Sequence, residues 1–327
     1  MSVGGAVAND IHGKNHHGMG TFGCHVRAFE LVRSTGETML CSPSMHAEWF
    51  SSTIGGLGLT GCITWVELQL LRVPSPTMRV VYTPFVGIRE FLALSEASSA
   101  TYTVAWLDTA AARPRGIFME GEHALSASDE VSIPSHPACT IPFDGPHWLV
   151  SAPIMKVFNT AYYWMQRLLP SVRESVSLNA FFYPLDAIGA WNRLYGKRGF
   201  LQYQFVVPMV KAEEVVEHVL STLRSAGLLS FLTVIKVFGE KLSPGWLSFP
   251  SSGVTLALDI PYSAGALAIL ERLDATILAA GGRLYPAKGA RMSAATFQAM
   301  YPHWRDLENK RDPAILSGFW KRVTSLV

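Results

Sequence analysis

GFLQYQFVVPMVKAEEVVEHVLSTLRSAG, residues 199–227, sets the two periods of regular structure side by side. In GFLQYQFVV, Leu201, Tyr203 and Phe205 share one face and Gln202 and Gln204 the other, because successive strand side chains alternate. In AEEVVEHVLSTLRSAG, Val215, Val216, Val219, Leu220 and Leu223 form one stripe at helical spacing, and Gly227 stops the helix. Downstream, FLTVIKVFG (231–239) and VTLALDIP (254–261) read as strands. Residues 263–280 read as a second helix stopped by Gly281 and Gly282, and RLYPAK (283–288) as a short strand. The order strand–helix–strand–strand–helix–strand predicts an α+β domain, a sheet with helices on one face.

Upstream, residues 22–40 read as a hairpin turning at Ser34–Glu37. SPSMHAEWFSSTIGG (42–56) predicts a short helix capped by Ser44 and ended by Gly55 and Gly56. CITWVELQLL (62–71) is apolar on both faces and predicts a buried strand. VPSPTMR (73–79) places a domain boundary. Residues 110–150, rich in Pro, Ser and Gly, read as a loop.

With 327 residues the chain is long enough for about two domains. Apolar residues make up 49% and charged ones 16%, which argues for a large core and against disorder. A net charge of +2 without a basic run excludes a nucleic-acid partner. Cys24, Cys41, Cys62 and Cys139 form no C-x-x-C pair, so no zinc ribbon or thioredoxin-type site is expected, and a reducing compartment is. The first residues lack the pattern of a signal peptide. The longest uncharged stretches, 50–66 and 242–258, are broken by Gly, Ser or Pro, so no transmembrane helix is expected.

Three sets of residues could carry chemistry. Gly56-Leu57-Gly58-Leu59-Thr60-Gly61 matches G-x-G-x-x-G, but a helix precedes it and a strand follows, the reverse of a dinucleotide fold, and no acidic residue stands about 20 positions on. Its glycines suit a flat ring packed on backbone, or a plain turn. Asn9-Asp10-Ile11-His12-Gly13-Lys14-Asn15-His16-His17 places Asp10, His12 and Lys14 at alternate positions, as one polar wall. His12 and His16 have the i,i+4 spacing of metal ligands, but Gly13 and Asn15 disfavour helix, so no metal site is expected. Gln202 and Gln204, with Lys236 and Lys288 among apolar neighbours, suit hydroxyl recognition in a sugar site, or a solvated edge.

GGAVANDIHGKNHHGMGTFGCHV (4–26), AEWFSSTIGGLGLTGCITWVELQL (47–70), FYPLDAIGAWNRLYGKRGFLQYQFVVP (182–208) and GGRLYPAKGARMSAATFQAMYPHW (281–304) together resemble the decaprenylphosphoryl-ribose oxidase family of the vanillyl-alcohol oxidase superfamily. HGKNHH with GFLQYQF distinguishes that family from the aldonolactone and alditol oxidases of the same fold. The resemblance implies a PCMH-type FAD-binding domain, incomplete here, plus a substrate (cap) domain with a mainly antiparallel sheet covered by helices. Residues 1–75 are expected in the former, 76–282 in the latter, and 283–327 as a return to the first. It implies non-covalent FAD, oxidation of the C2′ hydroxyl of a polyprenylphosphoryl-ribose, a short-chain-type reductase partner, and a cytoplasmic or peripheral membrane location.

By the same resemblance Val3, Gly4, Gly5, Asn9, Asp10, Ile11 and His12, with Ile63 and Tyr285, contact the flavin. His12, Lys14 and Lys288 are the catalytic candidates. Trp106, Gln202, Gln204, Leu232, Val234, Lys236 and Phe238 line the substrate. The chain departs from the family pattern at Phe182, where a tyrosine is expected, at Thr255 for asparagine and at Ala257 for cysteine. The family's glycine-rich, RSYGD-like pyrophosphate loop is expected before Val3, so the sequence reads as truncated and as a weak FAD binder by itself. An aldonolactone or alditol oxidase, a flavin-less interaction subunit and, more remotely, a zinc hydrolase are the competing expectations.

Overall fold

The computed structural model describes residues 2–125, 139–289 and 291–325. The N-terminal lobe contains α1 (Val3–Ala8), α2 (His16–Met19), β1 (Val26–Val32), β2 (Thr38–Cys41), α3 (Ala47–Thr53) and β3 (Cys62–Leu68). Its sheet has the order β2-β1-β3 and closes over Val7, Phe29, Leu31, Phe50 and Ile54.

The expected hairpin is present as β1 and β2, antiparallel from Phe29–Cys41 to Val32–Thr38. The helix α3 is also present, but Ser44 does not cap it. His46 holds the cap position in a left-handed conformation (φ 49°), and Ser44 is spent on the 42–45 turn through Ser42 Oγ. The strand β3 is not buried as expected. It pairs with β1 alone, with Ile63, Val66 and Leu68 toward the core and Trp65 and Glu67 exposed. An edge strand covered on one face needs only one apolar side, and the apolar content of the other misled the reading.

The rest of the chain builds on one large sheet. Along the chain run β4 (Thr77–Val86), α4 (Ile88–Ala97), β5 (Tyr102–Asp108), β6 (Arg115–His123), β7 (Cys139–Thr140), α5 (Ala152–Leu168), β8 (Val172–Ser177), α6 (Leu178–Phe182), β9 (Ile188–Gly189), β10 (Phe200–Val207), α7 (Ala212–Ser225), β11 (Thr233–Phe238), β12 (Gly253–Pro261), α8 (Ala264–Ala279), β13 (Arg283–Leu284), α9 (Ala294–Met300), α10 (Trp304–Lys310) and α11 (Gly318–Thr324). The sheet has eight strands in the order β13-β10-β12-β11-β5-β6-β4-β8, and every pair in it is antiparallel. RLYPAK shortens to a two-residue strand because Pro286 opens a turn at once.

The strand β6 corrects the expectation of a loop over 110–150. It lies between β5 and β4, and its glycines are close-approach positions rather than breaks. A Cβ on Gly116 would stand 2.2 Å from the Trp106 carbonyl oxygen and 2.5 Å from the Phe85 ring. Part of that stretch, 126–138, lies outside the described residues.

One face of the sheet is covered as expected. The α7 stripe Val215, Val216, Val219, Leu220 and Leu223 packs with Tyr203, Phe205, Leu256 and Leu270, and each of those side chains stabilises by roughly 1.5–3 kcal/mol on burial. The expectation of helices on one face only is corrected: α5 lies on the other, where Tyr163 meets Trp106 and Ile117. The described residues after 282 touch both parts of the molecule. Trp304 and Trp320 join the α7–α8 core, while Asp312 accepts from the Ser34 backbone N–H at 2.7 Å and its own N–H bonds to Leu59 O at 2.8 Å.

Candidate active site

Strand register builds the site. Gln204 stands opposite Ala257, Ala257 opposite Val234, Val234 opposite Trp106, and Trp106 opposite Ile117. Directly paired residues of antiparallel strands share a face, so one row runs from an amide to an indole. The neighbouring rows add Gln202 with Asp259, and Thr255 with Lys236. The face is therefore polar over β10, β12 and β11 and turns apolar at Trp106 on β5 and Ile117 and Met119 on β6.

The strands β11 and β5 pair only at Val234–Trp106 and Ile235–Ala105. Where they diverge, the 10–17 segment crosses the sheet, and the Lys14 carbonyl accepts the Thr103 N–H at 2.8 Å. Asp10 anchors that segment. It is fully buried with φ 41°, and its carboxylate accepts the Gly23 N–H at 2.7 Å and the hydroxyls of Ser243 and Ser248. Burial raises its pKa, and these donors oppose the rise.

His12 is the hub. Its ring lies 4.8 Å from Phe238, edge-on, and 5.6 Å from Tyr285, which stacks on Phe249 at 4.6 Å. Its protonation pattern follows from its partners. The Thr255 hydroxyl donates to Phe205 O at 2.8 Å, so its oxygen accepts from Gln204 Nε2 at 3.1 Å. That fixes the Gln204 amide, whose second N–H meets His12 Nε2 at 3.0 Å. His12 Nε2 is then an acceptor, and the ring proton sits on Nδ1, facing Lys236 Nζ at 3.0 Å. Burial, then Lys236, Lys288 and His16, hold the His12 pKa well below its ordinary value, so the ring is neutral.

This assignment requires Lys236 to accept, which only a free amine can do. Burial, with Lys288 and Lys14 adding to it, brings the Lys236 pKa down to about 7. The amine also donates to Gly13 O at 3.2 Å. Lys288 is pushed down by burial and partly restored by Asp259. Lys14 points aside, donating to the Phe181 carbonyl with its Nζ 4.1 Å from the Phe181 ring centre, and burial lowers it to about 8.

Sequence reasoning passed over Asp259 and the partners of Asp10. Asp259 is 4% exposed; Gln202 Nε2 donates to its Oδ1 at 3.1 Å, and its Oδ2 meets no donor among the described residues. Burial lifts its carboxyl to about 6. Its signal was a charge inside the apolar run VTLALDIP. Ser243 and Ser248 carry no such signal. His16 is buried against Phe238 at 4.3 Å with neither nitrogen bonded among the described residues, and burial drops its pKa to about 4. Both His12 nitrogens are engaged by protein partners, Gln204 and Lys236.

The remaining candidates lie on the N-terminal lobe. Gly4 packs on Ile63, with its Cβ position 3.7 Å from that side chain. Gly5 N–H is capped by Ser2 Oγ at 3.1 Å, Asn9 Nδ2 returns to Gly5 O at 2.9 Å, Ile11 N–H bonds to Ala6 O at 3.2 Å, and Val3 is 52% exposed. The glycine loop meets protein backbone: a Cβ on Gly56 would lie 2.0 Å from Ser52 O, and Leu57 N–H bonds to Ala8 O at 2.8 Å.

Beyond Trp106 the same sheet face opens into an apolar cavity of about 420 Å³, lined by Trp106, Phe158, Tyr162, Leu185, Tyr195 and Leu232 among others. Trp106 Nε1 donates to Phe231 O at 3.1 Å, which holds the indole at the cavity's inner end.

No family model matches the chain. It is 36% identical to the decaprenylphosphoryl-β-D-ribose oxidase of Mycolicibacterium smegmatis over 96% of this chain and 71% of that one. The chain belongs to the decaprenylphosphoryl-β-D-ribose oxidase family. It is accordingly an oxidoreductase, and the family's cofactor is FAD. An uncharacterized protein from the mprA 5′ region of Streptomyces coelicolor is 29% identical over 96% of this chain and 90% of its own length. Cytokinin dehydrogenase 4 of Arabidopsis thaliana is 32% identical over 27% of this chain and 17% of its own.

The oxidase-family residues fit a flavin on the observation of charge. Lys236 loses its proton readily because burial, Lys288 and Lys14 all disfavour its charged form, so an anionic group beside it, the reduced flavin ring or a substrate phosphate, would restore the ammonium. Of the departures from the family pattern, Thr255 is the residue that orients Gln204, and Ala257 lies between Gln204 and Val234. No helix among the described residues is long and apolar enough to cross a membrane.

Proposed function

We propose that this chain oxidises the C2′ hydroxyl of a polyprenylphosphoryl-ribose to the 2-keto sugar, with FAD held non-covalently. The observation that supports it most is continuity: the polar cluster around His12 and the apolar cavity beyond Trp106 share one sheet face. A sugar linked through phosphate to a lipid has the same two ends, whereas a small alditol has no use for the cavity.

When bound, FAD supplies the acceptor for the hydride. The protein's own part is proton and charge control. Lys236, a free amine near neutrality, turns its lone pair from the His12 Nδ1–H to the substrate, takes the hydroxyl proton and becomes an ammonium that the Gly13 carbonyl accepts from. Lys288, beside Asp259, stabilises the alkoxide or holds the substrate phosphate. Gln202 and Gln204 position the sugar hydroxyls, and Leu232, Val234 and Trp106 exclude water beside them. A short-chain-type reductase partner, part of the same proposal, returns the ketone to the alcohol with the opposite configuration.

The test is product analysis with FAD-loaded protein. Polyprenylphosphoryl-ribose is expected to yield a product lighter by the two hydrogens of alcohol oxidation, with no turnover of alditols or aldonolactones. Preference for a small alditol or aldonolactone overturns the proposal and makes the chain another oxidase of the same fold.

A further inference from the structure

Helix α5 carries a second apolar stripe on the side away from the sheet. Its outer stripe is Ile154, Val157, Phe158, Trp164, Met165 and Leu168, every one exposed, with Leu168 at 86%. Its inner face buries Met155 and Tyr163 together with Asn159, whose amide donates to Ser230 O at 3.0 Å, and Gln166, which accepts from Arg173 at 2.6 Å. At 100° per residue the stripe spans about 120°, and Lys156 and Arg167 fall together on one flank of it. A helix in contact with water alone keeps its outer face polar; this one is built for a second apolar phase.

The flank continues into a basic cleft of about 580 Å³ between α5 and the 110–115 turn, where Arg113, Arg115, Lys156, Arg167 and Arg224 converge. Arg115 pairs with Asp108 at 2.9 Å and Arg224 donates to Ala111 O at 2.9 Å. Among the described residues, no acidic side chain lines the cleft, and Arg113, Lys156 and Arg167 make no salt bridge. Ile154 and Phe158 belong both to the exposed stripe and to the wall of the apolar cavity, so the cavity opens on this same surface.

We propose that α5 and the Arg113–Lys156–Arg167–Arg224 cleft dock the protein on an anionic lipid bilayer, with the apolar cavity opening into the membrane surface. Trp164, Met165 and Leu168 enter the headgroup region, and the cleft seats anionic headgroups. Charge selects this occupant: a second copy of the chain brings the same cations and no counter-charge. The docking stands on this surface alone. Its use, passing a lipid tail sideways from bilayer to cavity, rests on the reading of the preceding section.

Co-sedimentation with vesicles decides it. Phosphatidylglycerol-containing vesicles are expected to carry the protein down, and pure phosphatidylcholine vesicles to carry much less, with the difference lost in high salt. The double variant K156E/R167E is expected to bind at least about 25-fold more weakly, since each surface cation contributes about fivefold. W164S/L168S is expected to lose binding to the same vesicles with its circular dichroism unchanged. Equal binding to both vesicle types, no binding to either, or undiminished binding by both variants overturns the docking surface. A dimer in lipid-free solution that W164S/L168S dissociates also overturns it and assigns the face to self-association. Protein that docks as expected yet fails to oxidise the lipid-linked sugar refutes the proposed substrate and leaves the docking surface standing.

Discussion

Strand β10 carries a buried polar network on each of its two faces, and the two are built on opposite terms. On the α7–α8 side, the Tyr203 hydroxyl donates to Asp274 Oδ1 at 3.1 Å, and Arg291 grips both Asp274 oxygens at 2.6 Å. Every charge there has its partner. On the other side, Gln204 reaches His12, His12 reaches Lys236, and Lys14 and Lys288 stand nearby; Asp259 Oδ2 and both His16 nitrogens have no partner among the described residues. A closed network of matched charges holds a fold together. An open one, rich in one sign and short of partners, costs stability and is retained for what binds there.

The comparison fails if the two networks respond alike to mutation. The largest separation is expected in turnover. Lys236→Met or Lys288→Ala in FAD-loaded protein should cut kcat by about 10²–10⁴-fold with flavin content and unfolding midpoint retained. For Lys236, kcat/KM in the parent should rise with pH through about 7, as the ammonium gives up its proton. Near-parental turnover of Lys236→Met removes that residue from proton transfer. On the closed side, Asp274→Ala should cost about 3–5 kcal/mol in denaturant unfolding, because Arg291 is left buried and alone. A loss below about 1 kcal/mol would show that Arg291 finds water instead.

Smaller effects sharpen the contrast. Burial raises the Asp259 carboxyl from the ordinary 3.8 to about 6, so the folded state favours its protonated form. Stability from this group is therefore greatest at low pH and falls as pH rises from about 4 through about 6, by up to about 3 kcal/mol. Asp259→Asn should abolish that slope, leaving the variant more stable than the parent above pH ~6 and similar below pH ~4. Unfolding curves at several pH values measure it; parallel pH profiles for parent and variant refute it. The smallest effect belongs to His16. Its unbonded nitrogens cost about 1–2 kcal/mol, so His16→Phe should stabilise by about that much. If it destabilises instead, the ring is satisfied by water and the open network is smaller than drawn.

The local patterns were legible. The alternation over 199–207 placed Tyr203 and Phe205 in the core and the two glutamines away from it, and the α7 stripe is buried as its spacing required. The β1–β2 hairpin followed from its turn residues. Two strands were misread for one reason: β3 is apolar on a face that stays exposed, and β6 carries glycines that admit Phe85 and Phe181. Burial and glycine both acquire meaning from a neighbour that the sequence does not name.

The sequence by itself determined the chain's family, the direction in which each side chain of β10 points and the apolar stripe of α7, because these depend on periods of two and 3.6 residues and on motifs read in order. Tertiary structure alone decided the site. Register set Gln204 in one row with Ala257, Val234 and Trp106; strand divergence at Thr103 let His12 enter from 192 positions away in the chain; and the Thr255 hydroxyl, by spending its proton on Phe205 O, fixed which nitrogen of His12 carries one. Backbone ladders bond without regard to side-chain identity, so no local pattern states which strand lies beside which, and the chemistry of the site is a property of that adjacency.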